Sequence, residues 1–312
     1  MPEHATPTGG QAGGPVPRPG HNTPRRPILP RLLWHVVAII ISVVFLVPLV
    51  SMFVGALRKR GLPPSKVIEW LPNPVAWENY AGVFQVVDMG RFLVNTAVVE
   101  LMAVPVTLLV ASWAGFALAQ LPSRFARRVV AGALFAWLLP ETALWVSRFI
   151  LYKAVGILDT PFALSAVSLF GTSPLYMFIF YWTFRRVSSE TWEAARLDGA
   201  GAFRTWWSVG IPSARSAFAA VAVLTFVYYW REFRDALLYI QTAEKYTVSM
   251  GLAYLDQLNP TDWPLLLTGS VIVTAPLALV LFLAQPFFLE PVDRLRPTYP
   301  AEEAENSTGG TG

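Results

Sequence analysis

The stretch Glu193-Ala194-Ala195-Arg196-Leu197-Asp198-Gly199-Ala200-Gly201-Ala202-Phe203-Arg204-Thr205-Trp206-Trp207-Ser208-Val209-Gly210-Ile211-Pro212 lies between two long apolar segments, yet is itself polar and punctuated by glycine. Apolar spans are usually joined briefly, so a polar connection of about thirty residues points to a role of its own. It reads as helix, turn, helix. Ser188 and Ser189 are placed to cap a helix whose first turns carry Glu190 and Glu193, because unpaired N–H groups there favour acceptors and negative charge. Ala194 and Ala195 favour helix and let another backbone approach closely. Asp198-Gly199 supplies a stop, since glycine accepts the left-handed conformation that ends helices. Phe203 to Val209 then reads as a second short amphipathic helix, ended by Pro212. Trp192, Phe203, Trp206 and Trp207 crowd a connection that should face water. They suit either an interfacial aromatic belt or a docking surface.

Composition places the flanking segments in a membrane. Hydrophobic residues make up 54% of the chain and charged residues 14%, against roughly 25% charged in a soluble protein. That is too little charge to cover a water-facing surface. With no cysteine, disulfides, thiolate metal sites and cysteine nucleophiles are excluded. The three histidines, His4, His21 and His35, all lie near the N-terminus, which argues against a histidine-centred metal or catalytic site. The net charge of +4 is better explained by basic residues beside membrane spans than by nucleic-acid binding.

Six spans are expected. A Pro-, Gly- and Thr-rich tail at 1–30 has the composition of a disordered segment. Leu32–Leu57 carries no charge and is long enough to cross about 30 Å of hydrocarbon. The second span covers 92–121 with interruptions at Glu100 and Pro105, and the third runs from 129 to about 152. The fourth occupies 162–184, broken by Gly171-Thr172-Ser173-Pro174, and the fifth and sixth cover 216–240 and 264–288. The last tail is 291–312. Arg18, Arg25, Arg26, Arg31, Arg124, Arg127, Arg128, Arg185, Arg186, Arg196, Arg204, Arg215, Arg294 and Arg296 favour an inside N-terminus, with Arg58-Lys59-Arg60 opposed.

Charged groups inside spans are costly and default to functional candidates. They are Glu100, Glu141, Arg148 and the cluster Arg231-Glu232-Phe233-Arg234-Asp235. Glu141 and Arg148, seven residues apart, fall on one helical face, and Arg231 and Asp235 have the spacing to pair directly. The competing reading is that these groups sit near the outer boundary and extend into headgroups. Tyr228, Tyr229 and Trp230 are placed either to stack on sugar rings or to form an outer aromatic belt.

The spacing Glu193-Ala194-Ala195, three residues, Gly199, nine residues, Val209-x-Ile211-Pro212 resembles the EAA loop of ATP-binding-cassette importer permeases. The loop there usually ends Ile-x-Leu-Pro. Gly156-Ile157-Leu158-Asp159-Thr160, and Trp230-Arg231-Glu232-Phe233 with Ala236-Leu237, are similar to maltose-type carbohydrate permease subunits. Arg231 stands where that family usually has asparagine, and the family's glycine- and lysine-containing C-terminal ending is missing. The resemblance covers roughly residues 30–290.

It implies an all-α integral membrane protein with six transmembrane helices in the type I (MetI-like) importer permease fold. It also implies a carbohydrate pathway built with a second permease subunit, driven by an ATPase dimer and supplied by an extracytoplasmic solute-binding protein. The EAA segment, within 188–213, would dock on the ATPase through Glu193, Ala194, Ala195, Asp198, Gly199 and Pro212. Glu100, Glu141, Arg148, Tyr229, Trp230, Arg231 and Glu232 are the pathway candidates. No Gly-x-x-x-x-Gly-Lys-Ser/Thr loop occurs in the chain, so ATP and magnesium would belong to the partner ATPase, and this subunit would do no covalent chemistry. The resemblance places it as a multi-pass protein in lipid at the cell membrane, with both termini cytoplasmic. The remaining alternatives are an importer for a polyol or a glycerol phosphate, an ion-coupled secondary transporter using Glu100 and Glu141, and a membrane scaffold.

Overall fold

Pro140, Pro174 and Pro212 each stand where the chain changes direction or pitch, and those positions set the architecture. The computed structural model describes residues 28–61 and 70–289. The expected tail at 291–312, and that at 1–30 up to residue 27, lie outside the described residues. The helices are α1 Ile28–Ala56, α2 Glu78–Val86, α3 Met89–Gln120, α4 Ser123–Trp137, α5 Trp145–Val155, α6 Pro161–Ser165 and α7 Pro174–Arg185. They continue with α8 Ser189–Leu197, α9 Ala202–Thr205, α10 Ile211–Ser213, α11 Arg215–Trp230, α12 Arg234–Tyr239, α13 Val248–Leu258 and α14 Trp263–Leu289. No strand occurs among the described residues.

Four segments are long and apolar enough to cross a membrane: Leu33–Ala56, Met89–Gln120, Pro161–Arg185 and Trp263–Phe287. The number rises to six if each of two bent pairs counts as one span. Ser123–Trp137 meets Glu141–Val155 at 81°, and Ala202–Ser213 meets Arg215–Trp230 at 85°. Three expectations need correction. Span two is not interrupted, because α3 runs through both Glu100 and Pro105; within a packed helix, neighbours offset the one backbone bond that proline removes. Span three is not one helix. Pro140 lacks an N–H and holds Leu139 away from helical geometry, so α4 ends at Trp137 and a 3-10 turn, Glu141–Leu144, precedes α5. Span five stops at Trp230 rather than near Ile240, and Arg231–Phe233 leave the helix before α12 begins.

Among the described residues, those up to Leu49 belong to one unit and those from Val50 to another. In the first, apolar side chains such as Trp34, Ile40 and Phe45 on α1 are exposed, as suits a helix in hydrocarbon. In the second, α3 is central and packs on α6, α7, α11 and α13. The end of α1 is secured here: Asn79 Nδ2 donates to the carbonyls of Ala56 and Arg58 at 2.7 and 2.8 Å. Thr268 Oγ1 donates to Ala56 as well, at 3.0 Å. These side chains satisfy carbonyls that a helix end leaves without partners. Trp230 Nε1 donates to the Val273 carbonyl at 2.9 Å, joining α11 to α14.

The α3–α7 contact depends on a missing side chain. A Cβ on Gly115 would stand 2.6 Å from Phe180 Cβ, 2.8 Å from the Tyr181 nitrogen and 2.9 Å from the Met177 carbonyl oxygen. Two of those atoms are backbone, so the clash is not relieved by a rotamer change. Gly115→Val should destabilise the protein by about 2 kcal/mol, the middle of the range for an overpacked core. Thermal unfolding of the detergent-purified protein measures this, and an unchanged midpoint would show that Gly115 does not set the spacing.

Candidate functional site

The polar connection folds as the sequence suggests at its start. Ser188 Oγ accepts from the Thr191 N–H at 3.3 Å and begins α8. At the other end Gly199 takes φ 74°. Its N–H bonds the Arg196 carbonyl, and the Ala200 N–H reaches back to Ala195, both at 3.0 Å. This two-bond closure needs a left-handed residue at Gly199. Open space surrounds the glycine, so backbone conformation and not crowding demands it.

Pro212 does not end the second helix, contrary to expectation. The chain passes from α9 through a π turn, Trp206–Gly210, into α10, which contains Pro212. The wider turn pairs the Ile211 N–H with the Trp206 carbonyl. It thereby relaxes the ladder where a proline ring would press on the carbonyl four residues earlier. The helix ends at Ser213, and Ala214 forms the bend into α11.

The aromatic residues of this connection divide into two sets. Trp192 and Trp206 are buried in one cluster with Phe116, Phe180 and Phe184. The Trp192 ring lies 5.5 Å from Phe116 and 6.3 Å from Phe184, and Trp206 lies 5.3 Å from Trp113. Neither is a belt residue; together they fasten the connection to the ends of α3 and α7. Phe203 and Trp207 are exposed and stack on each other at 6.3 Å. Arg196 adds a polar tie, donating to Gln120 Oε1 at 2.6 Å. With Trp192 turned inward, α8 presents Glu193, Ala194 and Leu197 to the outside, and Leu197 is 88% exposed. Asp198 is exposed and so is Pro212.

The charged residues of the spans meet at the two helix breaks. Arg148 on α5 pairs with Asp235 on α12, Nη1 to Oδ2 at 3.2 Å, with both side chains largely buried. Asp235 therefore does not pair with Arg231, because the chain leaves helical geometry between them. Arg231 caps α11 and is exposed. Glu232 serves a structural purpose, since its Oε1 accepts from the N–H groups of Arg234 and Asp235 at 2.9 and 3.1 Å, at the start of α12. Arg234 lies over the Trp145 ring at 5.8 Å.

Between α4, α5, the 3-10 turn Ala166–Phe170 and α11 lies a cavity of about 540 Å³. Trp137, Glu141, Arg148, Tyr152, Thr172 and Tyr228 contribute to its wall. Glu141 and Arg148 both line it, although Glu141 sits in the turn before α5 and not on one continuous helix with Arg148. The other pathway candidates do not line it. Glu100 is buried in the bundle, 5% exposed, and neither carboxyl oxygen has a hydrogen-bond partner among the described residues. Tyr229 is buried, its hydroxyl 3.0 Å from Thr172 Oγ1, which is 2.6 Å from Thr107 Oγ1. Trp230 is buried against α14. Tyr228 is the member of that aromatic triplet that faces the cavity.

Sequence reasoning missed a junction at the far end of the bundle. Asp159, at φ 58°, accepts from Lys245 Nζ at 2.7 Å and from the N–H groups of Gln241 and Thr242 at 2.9 and 3.1 Å. The Thr242 hydroxyl also donates to it. Burial works to raise the Asp159 carboxyl, but these donors outweigh it and hold the group well below the usual carboxylate range. The junction joins the connection after α5 to the one after α12. Its signal in the sequence is Asp159 ahead of Thr160-Pro161, since aspartate is among the residues that enter the left-handed region most readily.

No family model matches the chain. It is 26% identical over 248 residues to the diacetylchitobiose uptake system permease protein NgcG of Streptomyces coelicolor, covering 79% of this chain and 82% of that one. It is 26% identical over 214 residues to the lactose transport system permease protein LacG of Rhizobium radiobacter, covering 69% and 78%. Among solved structures, a chain of a bacterial ABC transporter involved in import of the acidic polysaccharide alginate superposes with a TM-score of 0.64 at 21% identity. That match covers 85% of this chain and all of the other.

Two outcomes are expected from this geometry. Arg148→Gln leaves Asp235 unpaired and should cost about 3 kcal/mol, the low end for a broken buried pair, whereas Arg148→Met with Asp235→Leu should recover most of it. Thermal unfolding measures both, and equal loss in single and double variants would contradict the pairing. For Asp159 the folded pKa is depressed, so its contribution is complete above the ordinary carboxylate value of about 4. It fades as pH falls through the folded value. The stability difference between the parent and Asp159→Asn should stay level from about pH 7 to 5 and shrink below about pH 4. A difference that grows on acidification would reverse the assignment.

Proposed function

We infer that the chain is a permease of the ATP-binding-cassette importers, of carbohydrate type, and we propose that it forms half of a translocation pathway completed by a second permease subunit. The observation that carries this reading is the two-sided build of the Glu193–Pro212 connection. Its inner face is fixed by Trp192 and Trp206 to α3 and α7, while its outer face offers Glu193, Ala194 and Leu197. A side chain set on a rigid mount passes on a push instead of absorbing it.

In this reading the outer face docks on an ATPase dimer, which holds ATP and magnesium, and Glu193 meets a basic group there. The basic residues near that end, Arg124, Arg127, Arg128, Arg185 and Arg186, favour its lying on the cytoplasmic side. Arg58-Lys59-Arg60 spoke against this orientation. Arg60 Nε is 2.7 Å from Asp262, but acidic residues count little in this rule, and the orientation rests on the other boundaries. An extracytoplasmic solute-binding protein then meets the opposite end, where Asp159 ties two connections together. Opening and closing of the bundle around the cavity moves the solute, and the chain itself makes and breaks no covalent bond.

Coupling is tested in the reconstituted complex. Glu193→Ala and Gly199→Pro should each lower ATP-driven uptake by more than about tenfold, equivalent to about 1.4 kcal/mol in effective coupling. They should also loosen ATPase association while membrane insertion is kept. Uptake at the parent rate in both variants would sink the assignment. Uptake that collapses with the ion gradient instead of with ATP would establish the secondary transporter.

A further inference from the structure

The polar side chains that flank Glu100 on the inner face of α3 have partners. Thr96, Glu100, Ala103 and Thr107 follow one another along one face of the helix at helical spacing. Thr96 Oγ1 donates to the Phe92 carbonyl and accepts from the Val248 N–H, both at 2.9 Å. Thr107 Oγ1 is 2.6 Å from Thr172 Oγ1. Glu100, between them, has neither a hydrogen bond nor an ion pair among the described residues. Tyr229 on α11 lies within electrostatic reach of it, but the Tyr229 hydroxyl is engaged with Thr172 at 3.0 Å.

This isolation is imposed by the chain itself. Both carboxyl oxygens are shut off from the surface by its own atoms, and the residue is 5% exposed. A partner subunit laid against the outside therefore brings them neither a donor nor water. Glu100 stands about 16 Å along α3 from its start at Met89, too far from a helix end for its short side chain to extend into headgroups. Its helix neighbours Val99 and Ala103 pack in an apolar cluster with Leu164, Ala236, Ile240 and Met250. With or without its proton, Glu100 keeps polar atoms from any partner, which disfavours this packing against one that admits water or a donor. An unbranched apolar side chain would fill the same space without that cost.

We propose that Glu100 is a built-in opener: it weighs against the packed arrangement of α3 and maintains a population in which the bundle parts around it and its carboxyl meets water. The link from that population to uptake rests on the permease reading above; the bias itself does not.

Because the chain contains no cysteine, Ala103→Cys, and separately Ala236→Cys, each place one thiol among the buried residues of this cluster. A thiol there is alkylated by N-ethylmaleimide only while the cluster is open, so the rate reports the open population. Labelling is read on this chain in the assembled importer and normalised to the denatured chain. Glu100→Met should slow it about tenfold or more, the effect of relieving an unsatisfied buried polar group. Glu100→Gln, which keeps polar atoms in the same place, should label at nearly the parent rate. The unfolding midpoint of the detergent-purified chain should rise by about 3 °C or more with Glu100→Met. Glu100→Leu, of different shape, should act in the same direction in both measurements.

Labelling at the parent rate in both apolar variants, or a lowered midpoint in both, would overturn the proposal. ATP-driven uptake by the same preparations is measured in parallel and should fall with labelling in Glu100→Met. Uptake by the parent together with unslowed labelling in the variants defeats the opener alone. Slowed labelling with no ATP-driven uptake by the parent upholds the opener and removes the permease reading.

Discussion

The pairing of Arg148 with Asp235 is the interaction on which the middle of this protein depends. Charge at membrane depth is tolerated when it is paired, and here the two opposite charges are paired at one place. The pair joins α5, which follows the break at Pro140, to α12, which follows the break at Arg231–Phe233. Without the pair, two helix ends would carry opposite unpaired charges. The breaks and the pair are thus one arrangement, and the cavity is the space it leaves.

The second constraint is closeness. Gly115 brings the backbone of α3 against Phe180 and Met177 on α7, and Ala111 stands within 3.7 Å of a Cβ placed on Gly171. Two helices at this separation have little freedom to slide. The connection Glu193–Pro212 is clamped to the same pair through Trp192 and Trp206, so it inherits their rigidity. Its exposed Phe203, Trp207 and Leu197 are then apolar surface held in place, which is what a docking face requires and a loose loop lacks.

Much of this was legible in the sequence. The apolar runs marked where helices would cross, because length and composition alone determine that. Ser188, Ala194, Ala195 and Gly199 marked the first helix of the Glu193–Pro212 connection because capping and helix propensity are local effects. What was not legible were the consequences of tertiary contact. A tryptophan in a polar connection looks the same whether its ring faces headgroups or the underside of a bundle, and Trp206 turned inward while Trp207 stayed out. Asp235 has the spacing to pair with Arg231 only if the intervening backbone is helical, and Glu232 ends that helix by capping the next. Pro212 was read as a stop, but a π turn absorbs it. Tyr228, Tyr229 and Trp230 are adjacent, yet only the fold shows which of them reaches the cavity.

These elements are linked by α3. Toward one end its Trp113, Phe116 and Gln120 hold the connection that carries Glu193. Further along, Thr107 meets Thr172, which lines the cavity and also contacts the Tyr229 hydroxyl. Thr107 and Phe116 are separated by nine residues, so the two contacts stand about 13 Å apart on one helix at 1.5 Å per residue. A displacement of the connection therefore has a short, continuous route to the cavity wall through a packed helix. In the permease reading this is why a loop outside the bilayer can govern access to a space within it. In that reading the part that would take the push and the part that would meet the solute are both held by α3.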